Sequence, residues 1–155
     1  MSAMIEKLQT SSMYRLYKSF TPASRAAILF AIPFTVVDAV HYYTAGTALL
    51  FSLPLLVLIY LVCGWVAAVI ASQEQVDLSK LPGTGRSAGL RLWLTSTVIN
   101  TLLAVVILGF LSLGITMLSA AVYLCLAPLH ALGSALMGWL GGWLYHQYVK
   151  RTGAS

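Results

Sequence analysis

From Leu92 to Val149 the chain runs for 58 residues without one Asp, Glu, Lys or Arg, bounded by Arg91 in front and Lys150-Arg151 behind. A hydrocarbon core about 30 Å thick takes about 20 helical residues, so this run is too long for one crossing and suits two, joined near Ser112 to Ser119. Composition agrees: 59% of residues are apolar, 8% are charged and mean hydropathy is +0.87. Soluble domains carry about a quarter charged residues. The expected fold class is therefore all-α: a polytopic integral membrane protein, a four-transmembrane-helix bundle made of two hairpins, with a short amphipathic N-terminal segment and no additional soluble domain.

Met1 to Phe20 sets Glu6 against Lys7, Arg15 and Lys18, with Ile5, Leu8, Leu16 and Phe20 at roughly helical spacing. Such a segment is either an interfacial helix drawn to anionic lipids or a basic flank that sets topology. No apolar h-region or small-x-small cleavage site follows it, which argues against a secretory signal. The first crossing, about 22–43, opens on Thr21-Pro22, a favourable N-cap with proline at the first helical position. Pro33 is expected to kink it. After a short turn at 44–46, the second crossing runs over about 47–71 and contains Pro54. Ser72 to Ala88 reads as a loop around the turn signal Leu81-Pro82-Gly83-Thr84-Gly85. It lacks the Gly-Lys-Ser/Thr ending of a phosphate-binding loop. The third crossing is expected at about 89–111 and the fourth at about 117–148, with 150–155 as a tail.

Four crossings put both ends of the chain on one side. Lys7, Arg15, Lys18 and Arg25 precede the first span, Lys80, Arg86 and Arg91 lie between the second and third, and Lys150 and Arg151 follow the fourth. By the positive-inside rule that side is the cytoplasm, so a multi-pass protein of the cell (inner) membrane with cytoplasmic termini is expected. The net charge of +5 is then a topology signal and implies no nucleic-acid partner. A dual-topology dimer, which needs balanced flanks, is disfavoured by the same distribution.

The second and fourth spans share a pattern: Pro54 is followed by Gly64-Trp65, and Pro128 by Gly138-Trp139, at equal spacing. Small residues recur every four positions, Gly64, Ala68 and Ser72 in one, Ser134, Gly138 and Gly142 in the other. That spacing lets helix backbones approach closely, which is how helices associate in lipid. The pattern fits either a duplicated hairpin, whose repeats would be parallel, or chance likeness between Gly-rich spans.

Any chemistry falls to few polar groups. Asp38 lies in the first span about 20 Å from its inner end, with Thr35, His41 and Tyr42 on the same face. A carboxylate at that depth costs at least a few kcal/mol and is either a cation- or proton-handling group, with His41 as partner, or a structural tie near the outer interface. Asn100, flanked by Thr97 and Thr101, and His130 have similar depths and are candidates for an interhelical hydrogen bond. His130 is also a weak candidate for a haem or chlorin ligand. His41, His130 and His146 sit at outer, middle and inner depths, which disfavours a bis-histidine site within one chain. Cys63 and Cys125 differ in depth by roughly 10 Å, beyond disulfide reach, and lack the neighbours of a metal site. Trp93, Trp143, Tyr145 and Tyr148 fit an inner aromatic belt and Tyr42, Tyr43 and Tyr123 an outer one. Tyr60, Trp65 and Trp139 are expected to pack between helices or against a partner.

No nucleophile-base set, metal cluster or cofactor motif is present, so neither an enzyme nor a cofactor is expected. The favoured expectation is a non-catalytic subunit, scaffold or assembly factor of a larger membrane complex. It would act through helix packing at Gly64, Ala68, Ser134, Gly138 and Gly142, with the lipid bilayer and other subunits or self-association as partners. The alternative is an oligomeric small transporter or channel using Asp38 with His41, Asn100 and His130 along a polar path.

Overall fold

A computed structural model describes residues 12–43, 49–108 and 113–153; the side chains of 41–43, 49–52, 104, 105, 107, 108 and 113–124 lie outside that description. Five α-helices and no strand occur among the described residues. They are α1 (Ser12–Ser19), α2 (Pro22–Tyr43), α3 (Leu49–Gln73), α4 (Leu81–Leu108) and α5 (Leu113–Thr152). Two stretches among these residues, Pro22–Val40 and Leu53–Gln73, are long and apolar enough to cross a membrane. The expected turn at 44–46 and the first eleven residues lie outside the described residues.

The start of α2 follows from Thr21, whose Oγ1 accepts the Ser24 N–H at 3.4 Å while Pro22 takes the first helical position. Pro33 sits inside α2 and leaves it a single helix. The far end of the hairpin differs from the expected long loop. α3 stops at Gln73, a turn of a 3-10 helix covers Leu78–Lys80, and Leu81 already begins α4. The turn closes as a Schellman motif: Val76 N–H bonds Ala71 O at 3.1 Å and Gln75 N–H bonds Ser72 O at 3.1 Å. Val76 packs against the cluster of Ala68, Ala71 and Leu81. Gln75 takes the left-handed backbone position, φ 60°, that glycine usually fills. Gln75→Gly is therefore expected to raise the melting midpoint by about 1–4 °C, measured on the detergent-purified protein.

Asp77 caps the 3-10 turn by accepting the Ser79 N–H at 2.9 Å. Hydrogen bonds from Ser79, backbone first, together with nearby Lys80, hold this carboxyl below its usual range. Pro82 falls in the first turn of α4, where no helical N–H is required of it. The Pro-Gly segment read as a turn is thus the beginning of a helix.

Successive long helices run antiparallel. Arg25 of α2 meets Glu74 just past α3, and Phe34 meets Tyr60 at 4.7 Å between ring centroids. Along the α4–α5 pair, Leu81 faces Gly142, Gly85 faces Gly138 and Gly89 faces Ser134. The core between α2, α3 and α4 is lined by Ala23, Ala26, Ala27, Cys63, Ala67 and Ala88 around Phe34 and Leu92. Small side chains there bring the backbones together, and the helix exteriors carry the large apolar groups, with Ile32 79% and Leu132 67% exposed. Trp139, expected between helices or against a partner, is not between helices but on the exterior of α5, stacked on Trp143 at 6.4 Å. Trp65 does pack inward, edge-on to Tyr145 at 5.3 Å.

Candidate functional site

Asp38 sits on α2 about 24 Å from its start, half-buried against α4. Its Oδ2 accepts from Asn100 Nδ2 at 2.6 Å and from Ser96 Oγ at 3.1 Å. Asn100 Nδ2 also reaches Ser96 Oγ at 3.3 Å. Ser96 and Asn100 are four residues apart and so share one helical face, which turns both towards the carboxylate. Asn100 Oδ1 is buried without a hydrogen-bond partner. Thr35, one turn before Asp38, is occupied with its own helix, its Oγ1 donating to Ala31 O at 2.6 Å.

This arrangement revises the expected pairing. Asn100 meets Asp38 and Ser96, and its carbonyl oxygen accepts nothing from His130. The His130 side chain is exposed on α5. The side chain of His41 lies outside the described residues. Ser96 was not singled out by sequence. Its four-residue offset from Asn100 was the available signal, since two polar side chains on one face of an apolar helix need a common partner.

A second polar centre lies where α1, α2 and the α3–α4 turn meet. The Arg25 side chain is 4% exposed and donates from Nη2 to Glu74 Oε1. Its guanidinium lies over the Tyr17 ring at 5.9 Å, and its Nε is buried without an acceptor. Arg91 of α4 donates to Thr21 Oγ1 at 2.9 Å and to Ser24 Oγ, binding the start of α2 to α4. Ser72 and the Tyr145 hydroxyl share a hydrogen bond of 2.8 Å that ties α3 to α5 at the same end.

The small residues meet one another within the chain. A Cβ on Gly64 would overlap the Gly138 carbonyl, one on Gly85 the same carbonyl, and one on Gly138 the Gly85 carbonyl. A Cβ on Gly142 would come 2.6 Å from Leu81 O, and one on Gly89 would overlap Ser134 O. Ser134 is buried and donates to Ala131 O at 2.8 Å; Ala68 is fully buried. Gly141, which the sequence did not single out, would overlap Leu61 O. Gly64 and Gly138, the matching glycines of the Pro–Gly-Trp pattern, are thus in contact with each other.

Among the described residues no group of three or more His, Cys, Asp or Glu converges as a metal centre. Cys63 is buried and Cys125 exposed, and both are free thiols. No protein-family model, curated protein or solved structure matches this chain.

Proposed function

We propose that the protein is a four-crossing integral membrane protein with both termini cytoplasmic, acting as a non-catalytic subunit, scaffold or assembly factor of a larger membrane complex. One observation carries the reading. All four long helices turn large apolar side chains outward, including Ile28, Ile32, Leu58, Leu94, Leu102 and Leu132, while Gly64, Gly85, Gly89, Gly138, Gly141 and Gly142 meet neighbouring helices. An exterior of that kind calls for lipid or apolar partners rather than water. The positive-inside distribution supports the orientation, because Arg25, Arg91 and the Lys80 turn lie at one end of the bundle, with Lys150 and Arg151 beyond Gly142 on the same side. Partner contacts then fall to the large outward side chains, since the small-residue stripes are engaged inside the chain.

Threading is tested in a cysteine-free background: Gly46→Cys should label with an impermeant reagent from outside the cell, and Gln75→Cys only after the membrane is opened. Labelling of both from one side overturns the four-crossing arrangement. Function is tested by purification in mild detergent with mass spectrometry. A stoichiometric co-purifying membrane protein is the expected result, whereas a homo-oligomer that dissipates an ion gradient in liposomes would replace the subunit role with transport. That second role, an oligomeric transporter or channel, is favoured by the Asp38–Ser96–Asn100 cluster, a carboxylate and a bare buried carbonyl side by side in an apolar bundle.

A further inference from the structure

We propose that Asp38, Ser96 and Asn100 form a binding site for one sodium-sized monovalent cation between α2 and α4. The inference rests on the bilayer placement proposed above and is independent of whether the protein is a subunit or a transporter.

Charge is the first argument. Among the described residues Asp38 forms no ion pair: Arg25 is engaged with Glu74, and Arg91 with Thr21 and Ser24, both towards the start of α2. The His41 side chain lies outside the described residues; among the described ones Asp38 is held by hydrogen bonds from a serine and an amide, which do not neutralise a carboxylate whose charge is costly in hydrocarbon. A bound monovalent cation removes that cost. A divalent ion would leave a net positive charge in the same apolar surroundings, and one carboxylate is fewer than such ions usually recruit.

Geometry is the second. Asp38 Oδ2, Asn100 Nδ2 and Ser96 Oγ form a triangle with sides of 2.6, 3.1 and 3.3 Å. Asn100 Oδ1 faces away, buried and unpartnered. The two ends of an amide have nearly the same shape, and a half-turn about its terminal torsion exchanges them. After that turn three oxygens stand about 3 Å apart, near enough for one hard cation lying off their plane at roughly 2.3–2.6 Å to touch all three. Without the ion, the carboxylate and the carbonyl would repel, and the amide presents its N–H as observed. With the ion, the orphaned carbonyl gains a partner. Asn100 is therefore the element that changes between the two states, and Asp38 the charge that selects the ion.

The test is thermal unfolding of the full-length detergent-purified protein in sodium, potassium and choline chloride at equal ionic strength. At tenfold excess of sodium over its dissociation constant, the midpoint should rise by roughly 3–6 °C relative to choline, with a smaller rise in potassium. Asp38→Asn, which keeps the side-chain shape, and Asn100→Leu should each abolish the sodium-specific rise. Equal midpoints of the wild-type protein in the three salts overturn the site, as does a sodium rise retained in Asp38→Asn. Either result with the cysteine labelling pattern intact leaves the bilayer placement standing, whereas Gly46 and Gln75 labelling from one side removes that placement itself.

Discussion

Gly138→Ala is expected to lower the melting midpoint of the detergent-purified protein by roughly 4–12 °C, corresponding to a cost of about 2–3 kcal/mol. Gly138 lies where α3, α4 and α5 come together, approached by Gly64, Gly85 and Gly89. A methyl group there would run into the Gly85 carbonyl, which is main chain and has no rotamer by which to withdraw. Relief requires α4 and α5 to separate, which loosens the Gly85 and Gly89 contacts together. The control is Gly133→Ala on the same helix, where a Cβ meets nothing within 4 Å. That change should leave the midpoint unaltered or raise it slightly, since alanine favours helix over glycine by up to about 1 kcal/mol. Equal losses for the two variants would mean that the close approach of α4 to α5 is not what holds the bundle.

The second large effect is expected at the Arg25–Glu74 pair. Glu74→Ala should cost about 2–3 kcal/mol, because it leaves the buried Arg25 guanidinium with an unpaired Nη2 beside an Nε that already lacks an acceptor. The figure lies below the 3–5 kcal/mol typical of a fully buried pair, since the Glu74 side chain keeps 37% exposure. The double variant Arg25→Met, Glu74→Ala should recover most of the loss by removing the charge that needs a partner. A double-mutant cycle of midpoints or denaturant stabilities reads this directly. Additive losses would show that the pair is not coupled and that Arg25 is held by its packing over the Tyr17 ring instead.

The helical class was legible in the sequence because its causes are local. Thr21-Pro22 starts α2, and long apolar runs leave the backbone no partner but itself. The Leu81–Gly85 segment was misleading because Pro and Gly serve two purposes. They mark turns in water, and they mark close helix contacts where Pro falls in a first turn and Gly recurs every four residues. The run Leu81, Gly85, Gly89 has that second spacing and continues on α5 as Gly142, Gly138, Ser134. The end of α3, expected at about residue 71, lies at Gln73, and the tight turn after it was not legible because its left-handed residue is Gln75, which carries no glycine signal.

The site was half legible. Position along a helix is readable from residue number, so Asp38 and Asn100 could be singled out among the polar groups of the long apolar runs. Which neighbour a helical face turns towards depends on packing, and there Asn100 turned to Asp38 on α2 and not to His130 on α5. Arg25 illustrates the same limit. In the sequence it is one of several flanking cations, while the antiparallel register of α2 and α3 makes it the buried partner of a residue forty-nine positions away.

The length of α5 has a mechanical implication. Forty helical residues make a rod about 60 Å long, well over the roughly 40–45 Å of a bilayer with its headgroups. In the bilayer placement proposed above such a rod overshoots the membrane even when tilted, so its last turn, with Lys150 and Arg151 exposed beyond the buried Val149, would stand in the cytosol, continuous with the buried contacts at Gly138 and Gly142. In that placement a push on this end of α5 would be carried along the helix to the three-way glycine junction, a lever from outside the bilayer on the interior of the bundle.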